Sequence, residues 1–181
     1  MDKIKIKNAL IAVSEKSSID RLLPVLKDLK VKIWATEGTA KYIKSKGFDA
    51  QSIVSGFDFD GRVKSLDRQI LAQVLTDQTK KSHLDELKKW NVEPFDAVIV
   101  ELYKLDQTNF PESMDIGGVT LIRATIKNFE NVAVAFDEES IAKLVGEISE
   151  RGEISSEFRK QQAKKASHFI AQRCKLEADL L

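Results

Sequence analysis

The sequence has little of several things, and each shortage excludes something. Its one cysteine, Cys174, rules out an internal disulfide and points to a reducing, cytoplasmic setting. No histidine or aspartate pattern accompanies Cys174, so it reads as a small residue on a C-terminal helix rather than a nucleophile. The two histidines, His83 and His168, have no partners at metal-ligand spacing, so both read as helix-surface residues and no metal is expected. No apolar run approaches the ~20 residues that span a bilayer. Residues 1–7 alternate charged and apolar side chains and lack the apolar core of a secretory signal. Charge of one sign is also missing: 29 basic and 28 acidic residues leave a net charge of +1. That balance offers no bulk attraction to nucleic acid or membrane, so an anionic ligand must be held by placed groups. There is no internal repeat and no Gly/Ser linker.

What is present suits one folded unit. The 181 residues are 43% hydrophobic, enough for a core, and are read as a single domain over 1–181 with a C-terminal helical segment over about 155–181. Short apolar runs at 9–13, 31–35, 50–54, 97–100 and 132–136 read as strands. Between them, helical spacing appears at 22–29, with Pro24 tolerable in the first turn, and at 40–46, closed by Gly47. It recurs over 70–90, broken near 76–79, over 119–126, and from Asp137 to about 151. Residues 36–39 read as a turn and 102–113 as irregular. Ser155 opens a final helix dense in helix formers. Strands alternating with helices predict an α/β fold: an open five-stranded, mainly parallel sheet with helices on both faces, plus C-terminal helices.

Ligands of such sheets sit at the carboxyl ends of the strands, and the polar motifs cluster there. Ser14 and Lys16 follow the first strand; Thr36, Gly38 and Thr39 follow the second and enter a helix. Hydroxyls, a lysine and helix-start amides suit a phosphate, although the same residues cap helices and make turns everywhere. Arg62 and Lys64 lie two residues apart and point the same way in an extended segment, or else belong to a solvated basic loop. Tyr103 ends the fourth strand, where it presents its hydroxyl to a cleft or anchors a core. Asp115-Ile116-Gly117-Gly118 sets a carboxylate beside backbone amides that can hold a developing oxyanion. Lys127 lies ten residues after Gly117, about three helical turns along, and reaches the same place only if that helix is short or bends.

The runs AVSEKSSI, WATEGTAKYI, GRVKSL, ELYKL, MDIGGVTLIRATIKN and SSEFRKQQAKKA, in this order, resemble the inosine-monophosphate cyclohydrolase domain of the bifunctional purine-biosynthesis proteins. The resemblance covers essentially the whole chain. It implies a methylglyoxal-synthase-like fold and a hydrolase-class enzyme of purine biosynthesis. The reaction would be closure of formylaminoimidazole carboxamide ribonucleotide to inosine monophosphate with loss of water, using no cofactor. It implies that Ser14, Lys16, Thr36, Gly38 and Thr39 bind phosphate. It also places Arg62, Lys64, Ser65, Tyr103, Asp115, Ile116, Gly117 and Lys127 around the base and the formyl group. Among these, Lys64 would polarise the formyl oxygen, Asp115 orient the amide, and Tyr103 with Lys127 relay the proton. The implied partners are a purine ribonucleotide, a second copy of the chain and a separate formyltransferase chain. The sequence departs from that pattern at Glu37, Glu101, Lys104, Asp67-Arg68, Leu71 and Gln73. Glu37 and Glu101 put carboxylates where a Gly and an Asn are expected, which admits a second reading: a catalytically weak nucleotide-binding module on the same scaffold. Methylglyoxal synthase itself matches poorly, since its His-rich pattern is missing.

Overall fold

The computed structural model describes residues 2–53, 66–150 and 152–181. All five expected strands are present: β2 (Asn8–Ala12), β3 (Lys32–Ala35), β4 (Gln51–Ser52), β5 (Ala97–Val100) and β6 (Ala133–Ala135). They form one parallel sheet in the order β4-β3-β2-β5-β6. Each central strand is buried on both faces, which is why it reads as a continuous apolar run rather than an alternating one. On one face Ala9, Ile11, Ala97, Ile99, Ala133 and Ala135 pack under α1 (Leu22–Asp28), α2 (Glu37–Ser45) and α6 (Glu138–Ser149). On the other, Leu10, Val98, Val100 and Val134 pack under α3 (Arg68–Leu75), α5 (Ile116–Lys127) and α7 (Ser156–Ala178). The helix α4 (Lys81–Lys89) follows the expected break, where Asn128 Nδ2 donates to the carbonyls of Val74 and Thr76.

The strand order places a reversal between β2 and β5. The chain runs outward through β2, β3 and β4, then returns to lay β5 on the other side of β2 and continues to β6. Right-handed crossovers in opposite directions put their helices on opposite faces, so the loops after β2 and β5 diverge and leave a crevice between them.

Three features differ from the sequence reading. A two-stranded antiparallel ribbon joins β1 (Lys3–Lys5) to β7 (Glu153–Ser155), pairing Ile4 with Ile154. Its sequence sign was the alternation of the first residues, whose Ile4 and Ile6 turn inward. Residues 36–39 are not a turn: Thr36 is the N-cap of α2, and Glu37, Gly38 and Thr39 form its first turn. Likewise α5 begins at Ile116, so Gly117 and Gly118 lie inside the helix rather than before it. Two anticipated caps are in place, with Asp137 closing a capping box with Ser140 on α6, and Ser155 accepting from Phe158 N–H on α7; Ser18 or Asp20, expected to cap α1, does not, since the N-cap there is Arg21 with no side-chain bond.

Candidate functional site

The crevice between β2 and β5 opens into a cleft of ≈ 840 Å³. Its walls come from the ends of β2 and β5, the first turn of α2, and residues 111–118 leading into α5. A smaller depression of ≈ 270 Å³ lies between α6 and α7, away from the motifs singled out by sequence.

The α2 wall has the properties of an anion seat. The first amides of a helix have no partner within it, and Thr36 places no side-chain cap on them. Its hydroxyl instead donates to Thr39 Oγ1 at 3.1 Å. Thr39 is fully buried and also accepts from Lys16 Nζ at 3.1 Å, while that ammonium makes a second, short bond to the Val13 carbonyl. Burial pulls the Lys16 ammonium below the usual lysine range, and the carboxylates of Glu101 and Glu15 push it back up. A Cβ added at Gly38 would meet nothing within 4 Å, so this glycine keeps the helix start open to the cleft. Helix-start amides that the Thr36 side chain does not cap, the Thr36 hydroxyl and a half-buried ammonium together favour a phosphate dianion.

The α5 wall is built in the opposite way. Asp115 is the N-cap; its Oδ1 accepts from Gly118 N at 2.6 Å and its Oδ2 from Tyr103 N at 3.3 Å. The fit is close: a Cβ on Gly118 would lie 2.6 Å from Leu102 Cδ2 and 2.7 Å from Asp115 Oδ2. The loop after β5 is tied down from further sides. Ser14 Oγ donates to the Leu102 carbonyl at 3.1 Å, and Arg173 Nη1, from α7, donates to the Tyr103 carbonyl at 2.8 Å. Tyr103 and Ile116 remain exposed at the cleft.

Glu101 sits between the two walls. It continues the β2–β5 ladder by donating its N–H to the Ala12 carbonyl, and its Oε2 accepts from Ser18 Oγ at 3.0 Å. Burial raises its carboxyl above the usual carboxylate range, against the hydrogen bonds from Ser18 and the Glu15 backbone that lower it. It therefore latches the 3-10 turn Lys16–Ile19 to the cleft floor. Glu37 behaves differently, being exposed and ion-paired with Lys41 at 2.8 Å, one helical turn on.

Of the residues singled out by sequence, Lys16, Thr36, Gly38, Tyr103, Asp115, Ile116 and Gly117 line this one cleft, whereas Ser14 and the fully buried Thr39 stand behind it, bonded to the Leu102 carbonyl and to Lys16. Arg62, Lys64 and Ser65 lie outside the described residues. Lys127 is not brought to the cleft floor. α5 runs unbroken for 12 residues from Ile116, which puts the exposed Lys127 roughly 16 Å along its axis. Sequence reasoning missed Arg173, 70 residues from the carbonyl it holds, and the structural need for Gly118. It also gave no role to residues 111–113, which line the cleft within the stretch 102–113 read only as irregular. Among the described residues no group of His, Cys, Asp and Glu could hold a metal ion, and no helix is long and apolar enough to cross a membrane.

Comparison with known proteins agrees with this architecture. The family described as the MGS-like domain matches residues 19–135. The bifunctional purine biosynthesis protein PurH of Clostridium kluyveri is 35% identical over 92% of the chain, covering 36% of its own length. PurH of Cutibacterium acnes is also 35% identical over 92% of the chain, covering 34% of its length. The chain thus spans about a third of these relatives, and what it matches in them is the inosine-monophosphate cyclohydrolase domain. A solved structure described as ForH superposes with a TM-score of 0.83 at 26% identity, over 97% of this chain and 98% of that one. With its five-stranded parallel sheet, its two-faced helical cover and a match through residue 135, the chain belongs to the MGS-like domain family, as a PurH-related member.

Proposed function

We propose that the chain is a cyclohydrolase that closes formylaminoimidazole carboxamide ribonucleotide to inosine monophosphate. The observation that carries the reading is the pair of unlike helix starts facing one cleft: an open one at α2 for the phosphate and a carboxylate-capped one at α5 for the reacting amide. The kinship with PurH supports the choice of a purine precursor. In the reaction the carboxamide nitrogen attacks the formyl carbon, that nitrogen and the formamide nitrogen each give up one proton, a carbon–nitrogen double bond forms to the formamide nitrogen, and the former formyl oxygen leaves with the two protons as water. Holding both ends of one molecule supplies much of the acceleration, because the attack is then intramolecular and oriented. Asp115 orients the amide, the Ile116 and Gly117 amides receive the developing oxyanion, and Tyr103 handles a proton at the rim. Lys64 is assigned to the formyl oxygen by resemblance. A cytoplasmic setting, a second copy of the chain and a separate formyltransferase chain that supplies the substrate belong to the same proposal.

A specific observation favours the second reading, a binding module with little turnover. Lys127 lies at the far end of α5, and a carboxylate, Glu101, stands beside Lys16 in the anion seat. Mixing the protein with the formylated ribonucleotide and following ring closure by ultraviolet absorbance separates the two. Turnover above the buffer rate supports the enzyme. Binding of inosine monophosphate by calorimetry without turnover supports the module. Equal affinity for the nucleotide and its free nucleoside would overturn the phosphate seat on which both rest.

A further inference from the structure

We propose that Arg173, on the last turns of α7, is a positioning residue for the cleft, fixing Tyr103 and through it the start of α5. The guanidinium is nine-tenths buried. Its Nη1 donates to the Tyr103 carbonyl at 2.8 Å, and its Nε donates to Glu177 Oε1 at 2.8 Å on the same helix. Tyr103 is thereby held at both ends of its backbone, its carbonyl by Arg173 and its N–H by Asp115 Oδ2. Asp115 in turn caps α5 through Gly118 N. One line of hydrogen bonds therefore runs from α7 through Tyr103 and Asp115 to the Gly118 amide in the first turn of α5, whose start borders the cleft.

Packing alone is a poor account of this arginine. Burying a guanidinium carries a desolvation penalty that an apolar side chain of similar shape would avoid. The third nitrogen, Nη2, is buried with no hydrogen-bond partner, so even the polar contacts are incomplete as a stabilising device. What the planar fork supplies that a hydrocarbon cannot is a fixed direction for the Tyr103 carbonyl, with Glu177 holding the fork. Tyr103 is otherwise exposed at the rim, where little else restrains its backbone. A displacement of about 1 Å at such a position is enough to cost up to a hundredfold in rate.

The consequence for turnover rests on the cyclohydrolase reading above; the positioning itself does not, so the experiment has two arms. Hydrogen exchange on the ligand-free full chain compares the wild type with Arg173→Met. The expected result is exchange faster by roughly tenfold in amides of residues 102–118, with the β2, β5 and β6 amides and the first half of α7 unchanged. In the second arm, ring closure by Arg173→Met is expected to lose roughly tenfold in kcat with KM within about threefold. Arg173→Lys, whose ammonium reaches only one of the two partners at a time, should fall between. Faster exchange spread over the whole chain, or none, overturns the proposal. So does a kcat per folded molecule equal to wild type in both variants. If the wild type itself shows no ring closure, the cyclohydrolase reading fails and the exchange data alone decide Arg173. If Arg173→Met does not fold, Arg173→Lys carries both arms.

Discussion

The starts of α2 and α5 face each other across the same cleft, and they are built on opposite principles. At α2 the N-cap Thr36 leaves the first amides uncapped by its side chain, and Gly38 borders open space. At α5 Asp115 already occupies the cap with a carboxylate, and Gly118 is pressed against Leu102 and that carboxylate. A helix start attracts negative charge wherever it stands. Here one start has spent that attraction on its own side chain and the other has kept it. The lesson is that a phosphate belongs at α2, whereas α5 suits a neutral amide that gains charge only as it reacts.

The largest expected effect comes from Asp115. Asp115→Ala should lose about 1–2 kcal/mol of stability through the cap, together with most of the activity. Asp115→Asn should keep most of the stability, since Asn also caps, and still lose activity. Chemical denaturation alongside turnover checks this, and full activity in Asp115→Asn would remove the carboxylate from the chemistry.

The two glycines sharpen the contrast in opposite directions. Gly118→Ala should destabilise by about 1–3 kcal/mol, because the Leu102 side chain and the Asp115 cap must shift to admit the methyl group. Gly38→Ala should instead stabilise by about 0.5–1 kcal/mol by restricting the unfolded chain, yet weaken nucleotide monophosphate binding by crowding the phosphate seat. Equal effects of the two substitutions on melting temperature would break the distinction between the helix starts.

Glu101 gives a smaller, pH-dependent effect. Its carboxyl is raised in the folded chain by burial. The stability it contributes is thus fully present below the ordinary carboxylate range and is lost as pH rises through its raised folded value. The stability gap between Glu101→Gln and wild type should therefore open as pH climbs from acid to neutral, read from urea midpoints at a series of pH values. A gap constant with pH would contradict the assignment. At neutral pH the same variant should bind inosine monophosphate a few-fold more tightly, and the gain should shrink in high salt. Smallest of all is Glu37→Gly. The side chain is exposed and pairs with Lys41, so calorimetry should find nucleotide affinity unchanged within error. A clear tightening would place that carboxylate against the phosphate after all.

Much of the architecture was legible in the residues themselves. Parallel strands buried on both faces write themselves as unbroken apolar runs, and caps such as Asp137 and Ser155 act on neighbours two or three residues away. The family resemblance, carried by the Asp115-Ile116-Gly117-Gly118 run and its companions, likewise survives comparison with known proteins. The β1–β7 ribbon was only half legible, because alternation marks a strand but not its partner, and Lys3 pairs with Ser155 across nearly the whole chain. The first turn of α2 was misread because Gly and Thr are weak helix formers, and tertiary placement overrode that preference.

Sequence alone thus determined the fold class, the number of strands in a mainly parallel sheet and the list of polar residues at the strand ends; the strand order came with the tertiary structure. Which of those residues meet was decided only by the tertiary structure. Asp115 and Lys127 are close in sequence but held apart by a continuous helix. Ser18 and Glu101, or Tyr103 and Arg173, are far apart in sequence and bonded. The physical reason is that local patterns report which face a residue buries within its own element. A side chain's final direction is set by hydrogen-bond partners that arrive from other elements once the sheet has assembled.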